Sequence, residues 1–553
     1  MRNLKAMLHV VVFLCGSYLY AQGLDWQWAN HASGSNYDEG KSVAVGADGS
    51  SYVAGCFYGD ISFGNTSLTS QGGSDLIVAK LDPQGNWLWA KQVGDAENQE
   101  ANGIAIDNSG GIYVCGMFNG TASFGQTTLT SDNRDICIAK IDGEGNWLWA
   151  KKAGGNSDDS ANAIAVDSTN GIYLTGIVKN LAFFGNIQNA SENTGGDGYV
   201  AKLDSEGNWL WVLRADGISP GYGITADTNG YIYVTGRFDG YVAFGEIHLT
   251  SLSYSDIYVL KVSAAGAWIW AKSAGGTGIE HGKAITTDSL GNIYLTGYLG
   301  SNSTNFGQIN LSQIGLNDLF IAKLDPEGNW LWAEVSGSTG NDCGWGICCD
   351  AVDNFYITGI TGMTANFLGY PLPLSCFFIG KFNSDGLGLG AWQPSLSTTS
   401  GSTTGYCLAS DGEGGIYCAG SYQGSFMVDG ILIANSGLTD LFVVKANSST
   451  ALADSYYTPP AGFTLMGAFP NPFSISSSVQ FNVKDAHNAM ELCIYNYKGE
   501  KIRALRKTDI SLGENSINWD GKNDRGEAVS SGIYLYKLSC GKTATGGKLV
   551  RIK

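Results

Sequence analysis

The hexapeptide Gly85-Asn86-Trp87-Leu88-Trp89-Ala90 recurs unchanged at 145–150 and 328–333, as GNWLWV at 207–212 and as GAWIWA at 266–271. Its second tryptophan falls at Trp28, Trp89, Trp149, Trp211, Trp270 and Trp332, with Trp392 in weaker form, at gaps of 59 to 62 residues. A second motif resembling GIYVCG places Tyr52, Tyr113, Tyr173, Tyr233, Tyr294, Tyr356 and Tyr417 at the same period. A third, resembling DLIVAK, ends on Lys80, Lys140, Lys202, Lys261, Lys323, Lys381 and Lys445. A fixed period of this length marks a repeat architecture. The motifs occur in seven copies.

Each copy holds four apolar runs of strand length separated by turn residues. In the second copy these are 103–106, 112–116, 135–140 and 147–151, joined by Asp107-Asn108-Ser109-Gly110-Gly111 and Asp142-Gly143-Glu144-Gly145. No helical period competes. Four antiparallel strands per 60 residues predict an all-β chain built as a seven-bladed β-propeller. The seventh copy lacks a Trp-x-Trp strand, whereas Trp26-Gln27-Trp28-Ala29 stands alone near the start. The N-terminal strand is therefore expected to complete the last blade, which leaves no open edge in the ring.

The pattern resembles the bacterial propeller repeat family of exported proteins, through Ser62-Phe63-Gly64, Ser123-Phe124-Gly125, Ala243-Phe244-Gly245 and the Lys and Trp motifs. The resemblance implies a scaffold at a cell surface and no particular chemistry. A thinner likeness, to quinoprotein dehydrogenases, rests on the Gly-Asn-Trp strands and Cys348-Cys349. It implies eight blades, quinone and calcium, which seven copies do not match.

Glycine is 78 of 553 residues and proline only 10, so the excess glycine serves turns. The net charge of −18 is uneven: 23–460 carries 17 basic and 42 acidic residues, whereas 461–553 carries 13 basic and 8 acidic. A body this acidic repels phosphate backbones, and no nucleic acid partner is expected. Residues 1–22 read as a signal peptide, with Arg2 and Lys5 before an apolar run and Ala21 as the cleavage point. Cys15-Gly16 follows Phe13 and Leu14, which are too bulky for a lipoprotein signal. No transmembrane segment is expected in the mature chain.

The assignment is a propeller over 23–445, a linker over 446–460 and a small Ig-like β-sandwich over 461–553. The last unit resembles the C-terminal sorting domain of type IX secretion cargo and the Ig-like domain of flagellar hook-capping proteins. The matching features are Pro470-Asn471-Pro472, Gly532-Ile533-Tyr534 and the closing strand from Lys548 to Lys553. It implies the type IX machinery as a partner and a secreted or surface location.

The Trp pairs admit two uses, sugar platforms or blade packing, and recurrence in every copy favours packing. The Asp turns lack the ligand series of an EF-hand, so calcium has no supporting motif and no cofactor is implied. His31, His248, His281 and His487 are scattered without CxxC partners, and no metal ligand is assigned. Cys407 and Cys418 are expected near each other in a hairpin, able to form a disulfide. No nucleophile elbow is present, and no catalytic residue is assigned. The variable links on one rim, with Asp95, Glu97, Asp158, Asp159, Glu280, Asp342 and Trp345, form the candidate binding face. Two functions stay open: a non-catalytic surface propeller that binds an extracellular protein or glycan, and an extracellular enzyme acting on glycans.

Overall fold

A computed structural model of the protein describes residues 24–190, 195–367, 370–372, 375–396, 402–428, 430–448, 463–469, 473–483, 489–496, 501–540 and 543–551. The expected signal peptide lies outside these residues, as do Pro470, Asn471, Pro472 and Lys553. The described residues are all β, and the chain divides into two compact units at Ser449 and Thr450.

In the first unit the described residues contain seven four-stranded antiparallel arrays. Their first strands are Asp38–Val45, Gln99–Ile106, Ser160–Val166, Gly221–Ala226, Glu280–Thr287, Cys343–Cys349 and Thr403–Ser410. Successive first strands are neighbours, and Thr403–Ser410 also lies beside Asp38–Val45, so they close a ring around one axis. The last blade takes its fourth strand from the N-terminus: Leu24–Gly34 pairs with Asp440–Ser448, with Trp28 opposite Lys445. That third strand runs to Ser448, so Ala446, Asn447 and Ser448 belong to the blade and not to the linker.

The tryptophan motif is a blade-to-blade clasp. Trp332 packs over Gly386 with no hydrogen-bond partner for its indole N–H among the described residues, and in five other blades the second Trp donates its indole N–H to a backbone carbonyl in the next blade's third-to-fourth turn. The pairs are Trp28 to Pro83 (3.0 Å), Trp89 to Gly143 (3.0 Å), Trp149 to Ser205 (3.1 Å), Trp211 to Ala264 (3.2 Å) and Trp270 to Pro326 (3.2 Å). The motif's glycine lies under the same indole. Gly85 has a φ of 84°, in the left-handed region, and a Cβ there would stand 2.4 Å from Trp28 Cδ2. Both the turn and the close approach require glycine. The first Trp meets the Phe of the Phe-Gly motif edge to face, as Trp87 meets Phe63 at 4.9 Å.

The sixth blade corrects the reading of Trp392. Lys381 faces Gly390, so Gly390 holds the clasp position and Trp392 lies two residues further along. The physical reason is chain connectivity. The seventh blade's third and fourth strands come from opposite parts of the chain, so no turn joins them and there is no carbonyl for a tryptophan to clasp. Lys381 Nζ instead meets Ser448 Oγ at 2.5 Å.

Short hairpins between second and third strands were not resolved by the four-run reading. Asp60–Phe63 pairs with Thr66–Thr69, and Ile61 and Ser62 pair with Gly34 and Ser33 of the preceding blade. The hairpins at Leu181–Phe184, Ser303–Phe306 and Phe426–Val428 are strapped to the preceding blade in the same way.

The C-terminal unit has a three-stranded sheet (Phe463–Phe469, Ser477–Val483, Gly513–Trp519) and a four-stranded one (Lys501–Lys507, Met490–Asn496, Gly532–Cys540, Thr543–Arg551). Trp519 is fully buried among Phe473 and Tyr534, at 5.4 and 5.1 Å. One apolar core joins residues of both sheets, the arrangement of an Ig-like sandwich.

Trp28→Ala should cost about 3–5 kcal/mol, since it removes a buried indole, its hydrogen bond and the closing contact together. Equilibrium urea unfolding measures it, and a loss below about 1 kcal/mol would contradict the clasp.

Candidate functional site

Every first strand carries a β-bulge at the same place, with the register broken between Gly40 and Ser42, Ala101 and Gly103, Ala161 and Ala163, Gly221 and Gly223, Gly282 and Ala284, Gly344 and Gly346, and Gly405 and Cys407. A bulge leaves one residue unpaired and re-aims its side chain. Here those residues are Lys41, Asn102, Asn162, Tyr222, Lys283, Trp345 and Tyr406, one per blade. Together with Glu39 they line a cavity of about 330 Å³ on the ring axis. The flanking positions are small, which the crowded axis demands: a Cβ on Gly221 would meet Thr175 Oγ1 at 2.1 Å.

The ring is chemically uneven. Asn102 and Asn162 donate their amide N–H groups to Ala161 and Gly221 carbonyls of the next blade, at 2.9 and 2.8 Å. Lys41 is paired with Glu100 and has Glu39 at 3.9 Å. Across the ring, Lys283 Nζ stands 4.2 Å from the centre of the Tyr222 ring, 4.9 Å from Trp345 and 5.7 Å from Tyr298. Trp345 meets Tyr406 edge to face at 6.0 Å. Burial, reinforced by the Arg237 guanidinium, pushes the Lys283 ammonium below the usual lysine range. Burial with Lys283 and Arg237 pushes His281 down to about 3, so it is neutral at physiological pH, and its Nδ1 shares a 2.8 Å hydrogen bond with Tyr298 Oη.

The expected rim residues divide between two places. Asp95 and the exposed Glu97 and Asp158 lie on links between blades. Asp95 accepts backbone N–H bonds from Glu97 and Thr121, and Asp158 lies 3.5 Å from Arg134. Asp159, Glu280 and Asp342 are buried, in a column three residues before the axial ring that also holds Asp38 and Gln99. Their carboxylates hold loop backbone: Asp159 accepts from Gly155 and Lys179, Glu280 from Gly276 and Ser301, and Asp342 from Ser338 and Gly362. Trp345 is not in a loop, as its position beside Asp342 and Cys343 suggested. It lies within Cys343–Cys349 at the bulge, which turns it to the axis.

The turn aspartates are likewise committed. Asp107 accepts from the backbone N–H groups of Ser109 and Gly111 and from Tyr113 Oη, and Asp167 repeats the set with Thr169, Gly171 and Tyr173. Among the described residues, no group of three or more His, Cys, Asp or Glu is placed to hold a metal ion. Cys407 faces Ala419, whereas Cys418 faces Leu408, so the two cysteines point to opposite faces and both are free. The disulfide expectation is corrected by that one-residue offset. Of the sorting-motif residues, Gly532, Ile533, Tyr534 and Lys548 lie on the paired strands Gly532–Cys540 and Thr543–Arg551, and Tyr534 is buried with its hydroxyl on Ser530 O at 2.8 Å.

Two family models agree with this architecture. Residues 88–121 match the family described as a beta-propeller repeat, and residues 474–543 match the FlgD Ig-like domain. An uncharacterized WD repeat-containing protein of Acanthamoeba polyphaga mimivirus is 28% identical over 232 residues, covering 35% of this chain and 17% of that protein. The regulatory protein FlaEY of Caulobacter vibrioides is 28% identical over 180 residues, covering 30% of this chain and 18% of FlaEY. The chain thus spans less than a fifth of the length of either relative. Among solved structures, PorZ, a surface component of the type-IX secretion system of Porphyromonas gingivalis, aligns over 95% of this chain and all of its own, at 11% identity and a TM-score of 0.18. The chain is a β-propeller repeat protein with an Ig-like C-terminal domain. No helix among the described residues is long and apolar enough to cross a membrane.

The buried column has a pH consequence. Burial, with Asp440 close by, pushes the Asp38 carboxyl up to about 8. In the unfolded chain a carboxylate of this kind titrates near ~4, so the fold holds the proton and loses stability as pH rises from about 4 to about 8. The melting temperature should fall across that window, and Asp38→Asn should flatten part of the fall. Identical slopes for both proteins would contradict the assignment.

Proposed function

We propose that the protein is an exported surface propeller that binds an extracellular glycan or protein without transforming it, delivered by the type IX machinery through its C-terminal domain. The observation that carries the binding role is the axial ring. The Trp, Tyr and Lys columns each repeat one residue type because they serve the scaffold, whereas the bulge column changes from blade to blade while its flanks stay small. Side chains freed from a packing duty and gathered around one cavity are what a ligand site requires. The Ig-like match over 474–543 and the basic closing strand support the sorting role. The rim acids Asp95, Glu97 and Asp158 would then border the mouth through which a larger partner reaches the ring.

Delivery is tested by deleting 461–553 in a bacterium with type IX secretion. The truncated protein should vanish from the cell surface and accumulate inside the outer membrane, and undiminished surface display would overturn the sorting role. Binding is tested by thermal shift of the full chain against neutral and acidic oligosaccharides. A ligand at 100 times its Kd should add about 2.7 kcal/mol to the folded state. Silence across the panel, together with unimpaired cell attachment after gene deletion, would remove the binding role.

A further inference from the structure

Lys283 is the least explained charge on the axis. Among the described residues no carboxylate lies within ion-pair distance of its ammonium, while Lys41 across the ring has two, Glu39 and Glu100. The other groups near Lys283 offer it no counter-charge. Arg237 is itself cationic and is paired with Asp239. His281 is neutral, and Glu280 is buried and turned to Gly276 and Ser301. What holds Lys283 in place is aromatic: the faces of Tyr222, Trp345 and Tyr298 stand 4.2 to 5.7 Å from its Nζ. Cation–π contact tethers an ammonium without neutralising it, so the charge remains available to an anion in the cavity.

We infer that the axial cavity is a binding site for an acidic sugar, a single pyranose ring carrying one carboxylate, with Lys283 as its counter-ion. The reading rests on the binding role proposed above and names its ligand class. Trp345 and Tyr406 stand edge to face at 82°, so either ring, taken singly, gives the apolar face that the C–H face of a sugar ring packs on. Asn102 and Asn162 have their amide N–H groups fixed on backbone carbonyls, and their amide oxygens, which already accept from Lys41 Nζ at 3.4 Å and Ser160 Oγ at 3.0 Å, each keep a second lone pair for a hydroxyl proton. A cavity of about 330 Å³ is at the small end of the range for ligand sites and suits one ring better than a chain. The surrounding body, acidic by 25 charges over 23–460, repels a polyanion far more than a single carboxylate.

Isothermal titration of the full-length protein with methyl β-D-glucuronide, methyl β-D-glucoside and acetate tests this. The glucuronide should bind at least tenfold more tightly than the glucoside, and acetate should not compete at equal concentration. Lys283→Met keeps the stem that packs on the rings and removes the charge. It should erase the preference while leaving the melting temperature unchanged or raised, because burial already disfavours this ammonium. Trp345→Leu should weaken both sugars. Equal affinity for the two sugars, competition by acetate as strong as by the glucuronide, a tenfold preference that survives Lys283→Met, or no binding of the glucuronide would each overturn the inference. A protein that ignores the glucuronide but is stabilised by another member of the oligosaccharide panel keeps its binding role and loses only this ligand class.

Discussion

The propeller depends on one repeated contact, an indole N–H of one blade held by a turn carbonyl of the next. Four-stranded blades have no covalent link across their faces, so the ring depends on contacts between neighbours, and this bond supplies one at five of the seven boundaries. The Trp supplies a large apolar surface and a directed hydrogen bond at once, and the glycine beneath it lets the turn approach. The same demand explains the exception. Where the seventh blade lacks a turn between its third and fourth strands, the sixth blade carries Gly390 instead of Trp.

Closure by the N-terminal strand follows from the same economy. The third strand of the last blade would be an open edge, prone to pair with other chains. Leu24–Gly34 fills that edge and brings Trp28 to the turn of the first blade. Repeat arrays otherwise gain stability mainly from nearest neighbours, and joining the ends makes every blade an interior one.

Much of this was legible in the sequence because it repeats. The four main strands of each blade, the blade count and the N-terminal closure were visible in the spacing of Trp, Tyr and Lys, and the short hairpins were not. The axial ring was not, although Lys41, Asn102, Asn162, Tyr222, Lys283, Trp345 and Tyr406 also keep the repeat spacing. Repetition draws the eye to what is constant, and this column is defined by change between small flanks. A bulge also breaks the two-residue alternation from which a facing direction is read. Asp159, Glu280 and Asp342 misled for a related reason: a polar residue in a link looks exposed, and only the fold shows its carboxylate turned inward onto backbone N–H groups. Trp392 shows that a matching gap is weaker information than strand register.

The central claim is that the two ends of the propeller, Leu24–Gly34 and Asp440–Ser448, meet in one blade and thereby lock the ring. Hydrogen–deuterium exchange of the full-length protein, read by mass spectrometry on peptides covering 24–34 and 440–448, addresses it directly. The account predicts that both peptides exchange slowly, at one common rate, and open together when urea is added. Rapid exchange of 24–34 while 440–448 stays protected would show that the N-terminal strand does not complete the last blade, and would contradict the account.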